Sequence, residues 1–194
     1  MLGHFGQDDP WQTLIATILS ARSRDETTEV VARHLFSQYP DCKSLAEAPV
    51  RKIEKLVKKT GFYKTKARRI IDVSKLLMDR YGGVVPMDLD RLLELPGVGR
   101  KTASCVLVYA FGKAAIPVDT HVHRISNRLG WVKTKNPEKT ELALRASIPE
   151  KDWILLNDLL VFHGKNVCKP IRPLCSICSV EKYCAKIILK GRDS

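Results

Sequence analysis

Residues 95–103 read LPGVGRKTA, and the apolar residues on both sides of this stretch recur at helical spacing. Leu92, Leu93 and Leu95 lead into Pro96-Gly97-Val98-Gly99, and Ala103, Val106, Leu107, Ala110 and Phe111 form a stripe beyond it. Two glycines between two helices permit a tight turn whose backbone N–H groups point outward beside the N-terminus of the second helix. A phosphate can approach such a turn closely, because no Cβ intervenes and the helix dipole favours an anion. Amides grip phosphate without reading bases, so Gly97, Val98, Gly99 and Arg100 are candidate contacts to a nucleic-acid duplex of any sequence. A plain turn between two helices explains the glycines equally well.

Outward from the hairpin, nearly every segment reads as helix. Trp11, Leu14, Ile15, Ile18 and Leu19 follow Asp9 as N-cap and Pro10 in the first turn. Val50, Ile53, Leu56 and Val57 repeat the pattern up to Gly61. Ala67, Ile70, Ile71, Leu77, Met78 and Tyr81 continue it until Gly82-Gly83. Further helices are expected near 25–38, 120–129, 137–147 and 150–162. AAIPVD at 114–119 is the one short extended candidate. The fold class is all-α.

Composition narrows the partner. The 194 residues are 44% hydrophobic and 28% charged, with no low-complexity segment, which excludes a disordered chain. No apolar run approaches the roughly 18 to 20 residues that cross a bilayer. MLGHFGQDDPWQ lacks a basic segment followed by an apolar one, so no secretory signal and no membrane partner are expected. Thirty-three Lys and Arg against 21 Asp and Glu leave a net charge of +12, which suits a polyanion, although a solvated basic surface has the same composition. KKTGFYKTKARR at 58–69 interleaves two aromatics with basic residues, as a surface tracking phosphates would.

Three further features carry chemistry. Lys101 falls in the first turn of the helix after the hairpin, where the dipole and Arg100 should disfavour the ammonium and favour a nucleophilic amine; a second phosphate contact is the alternative. Asp119 lies 18 residues on, in IPVDTHVHR, at a junction where an aspartate most often caps a helix. Four of the six cysteines, Cys168, Cys175, Cys178 and Cys184, fall within 17 residues, which fits a metal or cluster site in a reducing compartment better than disulfides. Their spacing alone allows zinc or an iron–sulfur cluster. Cys42 and Cys105 read as small core residues. His121 and His123, two apart on a helix, should point to different faces and not share a metal.

LPGVGRKTA, then VDTHVHR, then Cys-x6-Cys-x2-Cys-x5-Cys, in that order from about residue 10 to 184, resemble the endonuclease III family of helix-hairpin-helix DNA glycosylases. The resemblance implies a base-excision repair enzyme, a bifunctional glycosylase and abasic-site lyase. Lys101 would be its nucleophile, Asp119 the assisting carboxylate, and Cys168, Cys175, Cys178 and Cys184 the ligands of a [4Fe–4S] cluster. Its partner would be double-stranded DNA holding an abasic site or an oxidised pyrimidine of the thymine glycol type, flipped out of the stack. Arg22, in LSARSRD, stands where many relatives have a glutamine that fills the gap left by the flipped base. Phe62 takes the wedge position.

Two helical lobes follow from the same resemblance. A multi-helix barrel would span residues 1–113 with the hairpin and Lys101, and a cluster lobe 114–194 with Asp119, the flipped nucleotide lying in a cleft between them. Relatives usually begin with one more helix, whereas here the barrel residues start by Trp11. A monomer in a prokaryotic cytoplasm, associated with the nucleoid through DNA, is expected. The rivals are a monofunctional thymine or adenine mismatch glycosylase, with Lys101 only touching phosphate, and a non-catalytic DNA binder.

Overall fold

The computed structural model describes residues 9–187, which form two compact units, one ending at Lys113 and the other beginning at Ala114. All regular structure among the described residues is helical.

The first unit contains α1 (Pro10–Ser20), α2 (Asp25–Gln38), α3 (Cys42–Ala46), α4 (Val50–Leu56), α5 (Tyr63–Tyr81), α6 (Leu89–Leu93) and α7 (Arg100–Phe111). Helix α1 starts as its sequence dictates: Asp9 Oδ1 accepts from the Trp11 N–H at 2.9 Å, and Pro10 occupies the first turn. Eight of its eleven residues are buried, among them Leu14, Ile15 and Leu19. It packs against α2, α5 and α7. The indole N–H of Trp11 reaches Ser74 Oγ at 3.2 Å and ties α1 to α5. Helix α3 carries no readable period, since five residues span little more than one turn. A capping box nucleates it instead: Asp41 Oδ1 accepts from the Ser44 N–H at 2.7 Å, and Ser44 Oγ accepts from the Asp41 N–H at 3.3 Å. Cys42 and Cys105 are both buried, and burial pushes the Cys42 thiol up.

The second unit contains α8 (Thr120–Leu129), α9 (Pro137–Ser147), a 3-10 turn over Glu150–Asp152 and α10 (Trp153–Asn166). Two further 3-10 turns, Cys175–Ile177 and Glu181–Tyr183, punctuate the cysteine loop. Val122, Ile125 and Leu129 of α8, Leu144 of α9, and Trp153, Leu156 and Leu160 of α10 make one core. Cys168 and Cys184 pack against it. The helix expected at 150–162 instead starts with the 3-10 turn and runs on to Asn166.

The extended candidate at 114–119 forms no strand. No neighbouring strand exists among the described residues to pair with it. Its hydrogen bonding goes to a side chain, since the Asn157 amide donates to the Pro117 carbonyl at 2.6 Å. Ile116 and Val118 are buried in the unit's core. No helix among the described residues is long and apolar enough to cross a membrane.

Candidate functional site

The hairpin is built by its two glycines in different ways. Gly97 adopts φ +76°, a left-handed conformation that glycine takes without strain. A Cβ there would also lie 2.7 Å from Arg69 Cδ, because the Arg69 side chain rests against this turn. Gly99 is the N-cap of α7 in an extended conformation and supplies no side-chain cap. Val98 points the other way: its side chain is 5% exposed, and its N–H donates to the Leu95 carbonyl at 3.0 Å. Val98 therefore anchors the turn and its amide is spent inside it. Lys101, the second residue of α7, is exposed.

A second pair of turns lies in the same unit. Arg22 follows α1 with φ 53°, and Phe62 precedes α5 with φ 57°. Left-handed non-glycine residues of this kind gather at ligand-contacting turns, where surrounding structure holds them in place. The Arg22 guanidinium sits 5.3 Å from the Phe62 ring centroid, and Phe62 is 63% exposed. A large aromatic ring is thus held out in solvent with a cation stacked on it. The two turns touch at Gly61, where an added Cβ would fall 2.8 Å from the Arg22 carbonyl oxygen.

Asp119, in the second unit, caps α8. Its Oδ1 accepts from the N–H groups of His121 at 2.8 Å and Val122 at 2.9 Å, which fixes the direction of the carboxylate. His121 and His123 diverge as their spacing requires. His123 Nδ1 lies 2.6 Å from Thr140 Oγ1, while His121 packs against α10. Burial pushes the His121 imidazole below its ordinary value, against the opposing pull of Asp119.

Gly164 makes that packing possible, since a Cβ there would lie 2.4 Å from His121 Nδ1 and 2.9 Å from Ile125 Cδ1. In an open helix, alanine would stabilise by up to about 1 kcal/mol over glycine. Here overpacking wins, and Gly164→Ala is expected to destabilise by about 1–3 kcal/mol. A thermal melt checks the sign; a raised midpoint would show that His121 yields freely.

The four clustered cysteines form no disulfide and together line one hollow of the second unit. Residues of α8 that sequence reasoning overlooked hold the loop in shape. Arg128, 7% exposed, donates to the carbonyls of Lys169 at 2.6 Å and Pro170 at 2.7 Å, and lies 3.6 Å from Cys168 Sγ. Arg124, one turn earlier, donates to the Cys168 carbonyl at 2.8 Å. The signal was present in RISNR, since residues four apart share a helix face. The Lys186 N–H donates to Cys184 Sγ at 3.3 Å. Donors aimed at sulfur suit thiolates bound to a metal group.

The signature of the HhH-GPD superfamily base excision DNA repair proteins matches residues 15–150. The chain is 49% identical over 186 residues to endonuclease III of Thermotoga maritima, covering 96% of this chain and 87% of that one. Its structure is similar to an endonuclease III trapped as a covalent intermediate with DNA, with a TM-score of 0.87 and 37% identity over 92% of this chain and 84% of the other. A thermostable thymine-DNA glycosylase also resembles it, with a TM-score of 0.84 and 27% identity over 95% and 86%. With the family signature over residues 15–150 and 49% identity across nearly the whole of a relative, this chain belongs to the endonuclease III family of HhH-GPD base excision DNA repair proteins.

Proposed function

We propose that this protein is a bifunctional DNA glycosylase and abasic-site lyase that removes oxidised pyrimidines of the thymine glycol type from duplex DNA. The observation that carries this reading is an exposed lysine, Lys101, in the first turn of the helix that follows a two-glycine hairpin. Backbone amides of Gly97 and Gly99, with Arg100, hold phosphates of the damaged strand. Arg22 and Phe62 enter the stack at the extruded nucleotide, an event least costly where a lesion already pairs or stacks badly.

The neutral Lys101 amine attacks C1′ of the damaged nucleotide, the glycosidic bond breaks, and the base departs with the bonding electrons and takes up a proton. Asp119, held in one direction by its two amide bonds, offsets the positive charge that develops on the sugar. Opening of the sugar ring gives a Schiff base between Lys101 Nζ and C1′. Loss of a C2′ proton then expels the 3′-phosphate and nicks the strand. Water hydrolyses the Schiff base and frees Lys101.

The four cysteines would hold a [4Fe–4S] cluster, which would supply a fixed, charged cross-link for the loop and take no part in bond cleavage. Support comes from the donors of Arg128 and Lys186 directed at two of the sulfurs. Four thiols lining one hollow match the ligand set that such a cluster requires. The protein would act as a monomer on the nucleoid of a prokaryotic cytoplasm.

Incubation with a duplex holding one thymine glycol, followed by borohydride, should yield a covalent protein–DNA band and a nicked strand. Bound DNA with no band and an intact abasic product would favour mismatch glycosylase action, the reading suggested by the likeness to thymine-DNA glycosylase.

A further inference from the structure

Between the Arg22 and Phe62 turns lies a lysine that the reaction does not use. Lys66, in the first turn of α5, is 3% exposed. Its Nζ donates to the Leu19 carbonyl at 2.7 Å and to Ser23 Oγ at 2.9 Å. The same Ser23 hydroxyl accepts from the Gly61 N–H at 3.1 Å. One amine and one hydroxyl thus bind the end of α1 and the turn after it to the residue that precedes Phe62. Both of its described partners are neutral oxygens, and burial pushes the Lys66 amine down to about 8. Burying an ammonium against neutral acceptors is unfavourable, and an apolar residue would pack there at less cost. What a methionine or leucine could not do is donate from α5 to the end of α1 and to the turn after it.

We infer that Lys66 is a positioning residue that, through Ser23, locks the Arg22 and Phe62 turns into a single two-pronged probe for the gap left by a flipped nucleotide. The inference rests on the reading that Arg22 and Phe62 enter the duplex. Three features meet at this link. Both prongs stand in left-handed conformations that need outside support. The side chains stack on one another. The backbones approach so closely at Gly61 that no Cβ fits. Held this way, the prongs lose little freedom on entering DNA, which favours the damaged complex over the undamaged one.

The test uses a duplex with a tetrahydrofuran abasic analogue opposite 2-aminopurine, and the matching undamaged duplex. Ser23→Ala and Lys66→Met should each lower the preference for the abasic duplex about tenfold, the effect of having to order the loosened prongs on binding. Affinity for the undamaged duplex should stay level, and 2-aminopurine should brighten less on binding. In an Arg22→Ala/Phe62→Ala background, neither substitution should change the preference further. A general folding defect would lower both affinities together and leave their ratio alone. If Lys66→Met fails to fold, Ser23→Ala, which removes one hydroxyl from a half-buried side chain, carries the test. An unchanged preference in Ser23→Ala, or an equal loss in the doubly substituted background, would overturn the inference. Full preference retained by Arg22→Ala/Phe62→Ala would instead sink the wedge reading, and the inference with it.

Discussion

Replacing Lys101 by glutamine should abolish strand nicking and the borohydride-trapped complex, with base release slowed by at least about 10³-fold. Glutamine keeps the length and polarity of the side chain but lacks the amine that forms the bond to C1′. Lys101 is exposed at the start of α7, so its loss leaves no cavity and folding should be unaffected. Affinity for an abasic duplex should fall only a few-fold, as for one lost phosphate contact. Nicking that declined merely in step with affinity would reduce Lys101 to a phosphate ligand and favour the monofunctional reading. Asp119→Asn is the informative companion. Asparagine caps helices about as well as aspartate, so α8 should keep its N-terminus. A rate reduced by roughly 10²-fold at unchanged thermal stability would separate the carboxylate's electrostatic role from its capping role.

Arg128→Met should destabilise the second unit by about 2–4 kcal/mol, since two carbonyl acceptors and a sulfur lose a charged donor. Methionine keeps an unbranched stem of similar size, so the loss reports hydrogen bonding and charge more than packing. If the cysteines hold an iron–sulfur cluster, the purified variant should contain less iron and lose its brown colour faster in air. Iron content and a thermal melt measure the two effects. Parent-like retention of both would mean that the cysteine loop keeps its shape without α8. The effect should exceed that of any single lysine change on the loop surface, because Arg128 is almost fully buried whereas Lys169 and Lys182 are exposed.

The sequence by itself determined what short-range physics controls. Helices with an apolar period of 3.6 and a side-chain cap, such as α1 behind Asp9 and α8 behind Asp119, form where their own residues place them. The hairpin was legible for the same reason, because two glycines within three residues specify a turn locally. The clustered cysteines were legible because four of them fall within 17 residues of one another along the chain. Short α3 escaped notice, because a single turn has no period to read.

Tertiary structure alone decided which polar side chains turn inward. KKTGFYKTKARR reads as a uniformly basic face, yet Lys66 within it is buried by partners 47 and 43 residues earlier. Arg128 reads as a helix-end cation, yet it lies beneath a loop about 41 residues later. Val98 sits within the hairpin in sequence, yet its side chain is turned inward and buried. Gly164 sits inside a helix for a reason found in His121 and Ile125, on another helix. Burial depends on which distant segments meet, and a pairwise hydrogen bond or clash between them leaves no periodic trace in either segment. Composition and spacing therefore reveal the kind of site, while long-range packing selects the residues that hold it rigid.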